Sequence, residues 1–266
     1  MLTRNEPWYR SIVSTYRNAK ALHIAKQLQE ILKKQSKTIP VIVISYNNGI
    51  YIQNTVSQLE RYKITPIIID NNSDDIGTLN ILHQLEKNEK ANIVFSKKNL
   101  GHMVGFLDPV YKILPNIFAY TDPDLQFNQN LPPDFLRSLS DLTIEYSVYK
   151  AGFALDLLAD EPIIDTKHIF RRTKPFLWNK KLNLREIEQQ YWNKKLCHKE
   201  LEIYSAKIDT TFAVYNKEKF NGDFYDGVRV GGLYSAIHLP WFKKLDIMSL
   251  SERRAYLHKN KSTTSF

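Results

Sequence analysis

Two aspartates close an apolar run in NIFAYTDPDLQFN, residues 116–128, with one proline between them. In extended backbone, side chains two residues apart project to the same side, and Pro123 favours that extension at Asp122. Asp122 and Asp124 would therefore converge, and converging carboxylates raise each other's pKa unless a cation sits between them. A divalent metal resolves the conflict: Mg2+ or Mn2+ is commonly held by one or two carboxylates and completes its shell with water and substrate phosphates. The chemistry suggested by this spacing is metal-assisted handling of a phosphate group.

The elements that must carry the pair are readable upstream. Short apolar runs at 39–45 (IPVIVIS), 64–70 (ITPIIID), 91–96 (ANIVFS) and 116–122 (NIFAYTD) alternate with helical patterns at 49–62, 76–88 and 103–114. Such alternation predicts a Rossmann-like β-α-β-α-β-α-β order and a parallel sheet covered on both faces. Ligands of these sheets lie at the carboxyl ends of the strands. The four ends read Ser45-Tyr46-Asn47-Asn48-Gly49, Asp70-Asn71-Asn72-Ser73-Asp74-Asp75, Lys97-Lys98-Asn99-Leu100-Gly101 and Asp122-Pro123-Asp124. One sheet edge thus collects carboxylates, amides and lysines.

Elsewhere the pattern is coarser. Residues 7–35 read as a long basic amphipathic helix, with Tyr16, Leu22 and Leu28 interleaved with Arg17, Lys20 and Lys26. It suits packing on the following domain, a homodimer contact, or peripheral contact with a membrane surface. Pro132 and Pro133 open a helix to Leu142, Tyr146 to Leu155 reads as a strand, and SAKIDTTFAVYN (205–216) as a last strand before the Gly-rich turn GVRVGG. The stretch 160–200 has no clean period and reads as an acceptor-binding or lid region, with Trp178, Tyr191 and Trp192 in it and Tyr234 and Trp241 beyond. The expected division is an N-terminal helical extension at 1–37, a donor-binding half at 38–128, an acceptor-binding half at 129–245 and a tail at 246–266.

Taken in order, Ser45-Tyr46-Asn47, Ile69-Asp70-Asn71-Asn72-Ser73, Asn99-Leu100-Gly101 and Asp122-Pro123-Asp124 resemble the nucleotide-sugar-binding half of the GT-A glycosyltransferases, especially family 2. The resemblance is good over 38–128 and loose elsewhere. It implies an α/β, GT-A (Rossmann-like) fold: a mixed, mainly parallel sheet flanked by helices, here with an N-terminal helical extension. It also implies a site. Tyr46 and Asn47 would border the nucleobase, Asp70 would bond the base or ribose, and Asn99 and Gly101 would lie near ribose and diphosphate, with Lys97 or Lys98 adding charge. Asp122 would contact ribose or donor sugar, and Asp124 would ligate the Mn2+ or Mg2+ that bridges the diphosphate. His238, in AIHLPW, would complete the metal site as a neutral imidazole, and Arg229 would reach the diphosphate.

The implied activity is transfer of a sugar from a nucleoside-diphosphate sugar, UDP favoured, to a hydroxyl of a glycan or lipid-linked glycan, with inversion by a carboxylate base. Here the chain departs from the family pattern, because no Glu-Asp pair stands in GVRVGGLYSAIHLPW. The candidate bases are Asp209 in KIDTTF, Asp156 in GFALDLL and Asp226 in FYDGV. Asp209 leads because it reads as lying inside an apolar strand. Two alternatives stay open. A sugar-phosphate nucleotidyltransferase would need a Gly-rich phosphate loop that SYNNG poorly replaces, and a nucleotide-sugar-binding or carbohydrate-binding protein without catalysis would explain the missing pair.

Composition sets the outer bounds. The chain of 266 residues is 43% apolar and carries a net charge of +9, which favours phosphate-bearing or anionic-lipid partners; no nucleic-acid partner is expected. The single Cys197 excludes an intramolecular disulfide. No run nears the ~18 apolar residues of a membrane span, and MLTRNEPWYR lacks the apolar centre of a signal peptide. The expected location is cytoplasmic, at the inner face of the membrane where the helix makes a peripheral contact.

Overall fold

The computed structural model describes residues 7–35, 38–163 and 184–259. In chain order the elements are α1 (Pro7–Lys34), β1 (Val41–Ser45), α2 (Gly49–Glu60), β2 (Ile67–Asp70), α3 (Ile76–Lys87), β3 (Asn92–Phe95), α4 (Asp108–Ile113) and β4 (Ile117–Thr121). There follow β5 (Leu125–Phe127), α5 (Phe135–Glu145), β6 (Lys150–Phe153), α6 (Leu184–Gln189), β7 (Lys195–Leu196), β8 (Ile203–Ser205), β9 (Ala213–Asn216), β10 (Gly227–Val230), β11 (Ala236–His238) and α7 (Leu250–Lys259). They fall into two compact units, one of Met1–Pro123 with Thr210–Glu218 and one of Asp124–Asp209 with Lys219–Phe266.

The first unit holds strands in the order β3-β2-β1-β4-β9, parallel except for β9 against β4. Its strands are apolar on both faces, and Ile42, Val43, Ile67, Ile68, Ile69 and Val94 are fully buried. That is the signature of a parallel sheet covered by helices. Register aligns the strand ends, since Ser45 lies opposite Asp70 and Asp70 opposite Phe95. The polar residues that follow each strand therefore emerge along one edge. The α1 helix is a single unbroken rod that buries Ala21, Ile24, Ala25 and Leu28 and packs on α4 and β3. Among the described residues no helix is long and apolar enough to cross a membrane.

In the second unit β6 pairs parallel with β10, which continues antiparallel into β8 and β7. A separate antiparallel pair joins β5 to β11 and sets His238 opposite Leu125. The α5 helix buries Phe135, Leu139 and Leu142 and packs on β6.

Two elements differ from expectation. Residues 103–114 form a short 3-10 turn at Val104–Phe106 and then α4, not one helix. In a continuous helix Pro109 would leave the Gly105 carbonyl without a donor and press its ring on it. Gly105 itself is fixed by a close approach: a Cβ there would lie 2.2 Å from Cε2 of Tyr120. The second difference is that 205–216 is not one strand but β8 and β9 separated by a bend. Within the bend backbone groups bond elsewhere than in a ladder: Arg229 Nε donates to Lys207 O, Lys150 Nζ to Asp209 O, and Ile208 N–H to Tyr225 O. Residues 164–183, with Trp178, lie outside the described residues; the rest of the expected acceptor region contains α6, a 3-10 turn at Gln190–Trp192 and β7.

Candidate functional site

In the first unit the loops after β1, β2 and β3 are stitched together by their own amides. Asn47 adopts a left-handed backbone, φ 53°, a conformation that asparagine tolerates better than most residues. Its Oδ1 accepts from Asp74 N–H and Asp75 N–H, both at 2.9 Å, and its Nδ2 donates to Asp74 Oδ1 at 2.8 Å. Asn71 reaches the other way, with Oδ1 accepting from Leu100 N–H and Nδ2 donating to Gly101 O, both at 2.8 Å. Asn99 Oδ1 accepts from Gly101 N–H at 2.9 Å, and Gly101 sits at φ 83°, where a side chain would be strained. Asp70 is buried and accepts from Ser73 N–H at 2.9 Å and from the Ser73 hydroxyl at 2.5 Å. Burial raises its pKa, opposed by those hydrogen bonds. Lys97 and Lys98 are exposed and Tyr46 is half-buried.

Asp122 is pinned from β9's side of the same unit. Its N–H donates to Thr210 O at 3.1 Å, and its Oδ2 accepts a short hydrogen bond from the Thr210 hydroxyl. Thr210 is buried, 4% exposed. Thr55 Oγ1 donates to Pro123 O at 2.5 Å, fixing the carbonyl one residue beyond Asp122.

In the second unit the pairing of β5 with β11 brings Asp124 to His238. Leu239 N–H donates to Asp124 O at 3.0 Å, and His238 Nε2 lies 3.4 Å from Asp124 Oδ2. Asp124 Oδ1 and His238 Nδ1 are covered without a hydrogen-bond partner. The imidazole stacks on Trp241, ring centres 4.6 Å apart. Burial pushes the Asp124 carboxyl up to about 7, helped by Asp246, and holds the His238 imidazole down to about 3. Near neutral pH the histidine is therefore neutral, and the contact is not a full ion pair. A neutral imidazole beside a carboxylate, each with an unmet polar atom, fits a divalent cation. No group of three His, Cys, Asp or Glu side chains gathers for a metal among the described residues.

The candidate bases have different surroundings. Asp209, expected inside a strand, is exposed on the bend between β8 and β9. Asp226 Oδ2 accepts from Tyr149 N–H at 3.2 Å and Asn221 Nδ2 at 3.1 Å, and Asp156 Oδ1 caps Leu158 N–H at 3.1 Å. Asp209 and Asp226 both lie within electrostatic reach of Lys150, a fully buried lysine whose Nζ lies 3.8 Å from the centre of the Phe224 ring. Arg229, expected to reach a diphosphate, is buried at 4% exposure. Its guanidinium pairs closely with buried Glu188, donates through Nε to Lys207 O and lies over the Tyr191 ring at 4.2 Å. Tyr191, Trp192, Tyr234 and Trp241 all pack within the protein, Trp192 edge-on to Tyr204.

Sequence reasoning passed over Lys150 and Glu188, and gave Arg17, Asn71 and Thr210 no role in the site. A signal existed for Lys150, a cation inside the apolar run YKAGFAL. Thr210 and Glu188 carried none, because their partners lie 88 and 41 residues away.

Comparison with known proteins supplies what geometry does not. A family model described as Glycosyl transferase family 2 matches residues 41–220. No curated protein matches the chain. Among solved structures, a mannosyltransferase, PcManGT from Pyrobaculum calidifontis in complex with GDP-Man and Mn2+, aligns at 12% identity and a TM-score of 0.39, over 78% of this chain and 56% of its own. S. aureus TarS 1-349 aligns at 14% identity and a TM-score of 0.39, over 68% of this chain and 47% of its own. The chain spans about half the length of these solved structures.

Proposed function

The chain belongs to glycosyl transferase family 2, and from that premise we propose that it moves a hexose from a nucleoside-diphosphate sugar, a UDP-sugar first, to a hydroxyl of a glycan or lipid-linked glycan with inversion. Tyr46, Asn47 and Asp70 bind the nucleoside, Asn99, Gly101 and Lys97 the ribose and diphosphate, and Asp122 the ribose or sugar. Asp124 and His238 would hold Mn2+ or Mg2+. When bound, the cation supplies positive charge against the charge that builds on the departing diphosphate.

The rest falls to the chain's own side chains. The acceptor oxygen attacks the anomeric carbon while the bond from that carbon to the diphosphate oxygen breaks. The hydroxyl proton passes to a carboxylate and the electron pair leaves with the nucleoside diphosphate. We assign the base to Asp209, an exposed residue on a bend whose backbone carbonyls are held by Lys150 and Arg229. Arg229 stays with Glu188 and takes no part in this reading.

The observation that supports the proposal most is the Asp124–His238 pair, with its two covered and unmet polar atoms. The test is thermal unfolding with UDP-, GDP- and dTDP-sugars in Mn2+ or in EDTA. The proposal expects one nucleotide class to stabilise the protein in Mn2+ and to lose that effect in EDTA; no stabilisation by any of them would overturn it.

A further inference from the structure

The loop after β3 is held by more than its own unit's sheet. Every backbone polar group of Leu100 and Gly101 is taken: Leu100 N–H and Gly101 O by Asn71, Gly101 N–H by Asn99, and Leu100 O by the guanidinium of Arg17 in a short hydrogen bond. Arg17 lies one helical turn before Ala21, Ile24 and Leu28, the buried face of α1, so the packing that docks the helix also aims this side chain at the loop. Two further residues of α1 reach the same loop. His23 Nε2 lies 3.2 Å from Lys97 N and 3.3 Å from Phe95 O, and its Nδ1 lies 2.8 Å from Lys20 O. Lys98 Nζ donates to the Tyr16 hydroxyl at 2.9 Å.

The family match begins at residue 41, beyond α1. The geometry points to a role for this extension: α1 is a built-in clamp of the donor site, and Arg17 is the positioning residue that fixes the Lys97–Gly101 loop in the shape that receives the nucleoside diphosphate. This rests on the donor-site reading above. A charged donor to a carbonyl is worth more than a neutral one. Releasing it frees a loop whose conformation already requires a left-handed residue at Gly101.

The experiment pairs two readouts on Arg17→Ala and Arg17→Lys, with His23→Ala as a second variant and thermal unfolding as the check on folding. Amide hydrogen exchange at Leu100 and Gly101 reports the clamp, and calorimetric titration with UDP and GDP reports the site. Arg17→Ala is expected to speed exchange and weaken nucleoside-diphosphate binding by about tenfold each, with turnover at saturating donor within about twofold of wild type. Arg17→Lys should recover most of both. Unchanged exchange in both alanine variants overturns the clamp, and faster exchange with unchanged affinity overturns its link to the donor. If wild type binds neither nucleotide, the donor-site reading itself fails, and the exchange data still decide whether α1 clamps the loop.

Discussion

His238 Nε2 lies 3.4 Å from Asp124 Oδ2, while the other two polar atoms of the pair, His238 Nδ1 and Asp124 Oδ1, are covered and unmet. Leaving buried polar atoms unmet costs about 1–3 kcal/mol each, a cost that a bound cation would offset. Mn2+ should therefore raise the unfolding temperature of wild type. His238→Phe, which keeps the stacking partner for Trp241, should abolish the Mn2+ effect without lowering metal-free stability. Calorimetric scans with Mn2+ and with EDTA measure both, and an undiminished Mn2+ shift in His238→Phe would remove this residue from the metal site.

Thr210 should matter to donor handling through Asp122. Thr210→Val deletes the hydroxyl that donates to Asp122 Oδ2 and keeps the shape. The expected loss in kcat/KM is about tenfold, with most of it regained in Thr210→Ser. Steady-state kinetics across donor concentration check this, and a Thr210→Val enzyme with wild-type kcat/KM would show that the contact is incidental.

The Arg229–Glu188 pair is a stability element. Both side chains are 5% exposed, and burial raises the Glu188 pKa against the opposing pull of Arg229. Arg229→Met strands a buried carboxylate and should cost about 3–5 kcal/mol in urea unfolding, whereas Arg229→Met with Glu188→Leu should cost less than the single change. Additive losses would mean that the two groups do not depend on each other.

Lys150 gives stability a pH dependence of known sign. Burial pushes its ammonium from the usual 10.5 down to about 7, against the attraction of Asp209. Below about 7 the lysine is charged in folded and unfolded chain alike, and the folded chain bears the full burial cost. Between about 7 and 10.5 only the unfolded chain holds the proton, so this group's contribution to stability rises with pH. Urea unfolding at several pH values should show a gain in wild type that is absent from Lys150→Met. Parallel profiles for the two proteins would contradict the assignment.

The parallel strands were legible because each is a short apolar run closed by a polar residue, Ser45, Asp70, Ser96 or Asp122. Helix α3 was legible because Asp75 caps it, its carboxylate accepting from Thr78 N–H at 2.7 Å. What misled was local pattern without its partners. Residues 205–216 alternate like a strand, yet Lys150 and Arg229 take the carbonyls that a ladder would use, and neither contact can be read from neighbouring residues. Arg229 beside a Gly-rich turn suggested a phosphate ligand because Glu188, its true neighbour, lies 41 positions away. The Asp124–His238 meeting was anticipated from resemblance alone; its physical cause is the β5–β11 register.

The central claim is a cation-dependent transfer from a nucleotide-sugar that passes through Asp124. The most direct measurement is release of nucleoside diphosphate from a panel of nucleotide-sugars, comparing wild type in Mn2+, wild type in EDTA, and Asp124→Asn in Mn2+. The account predicts release in the first alone, with Asp124→Asn folded and at least about a hundredfold slower. Release at equal rates in EDTA, or by Asp124→Asn, would contradict it.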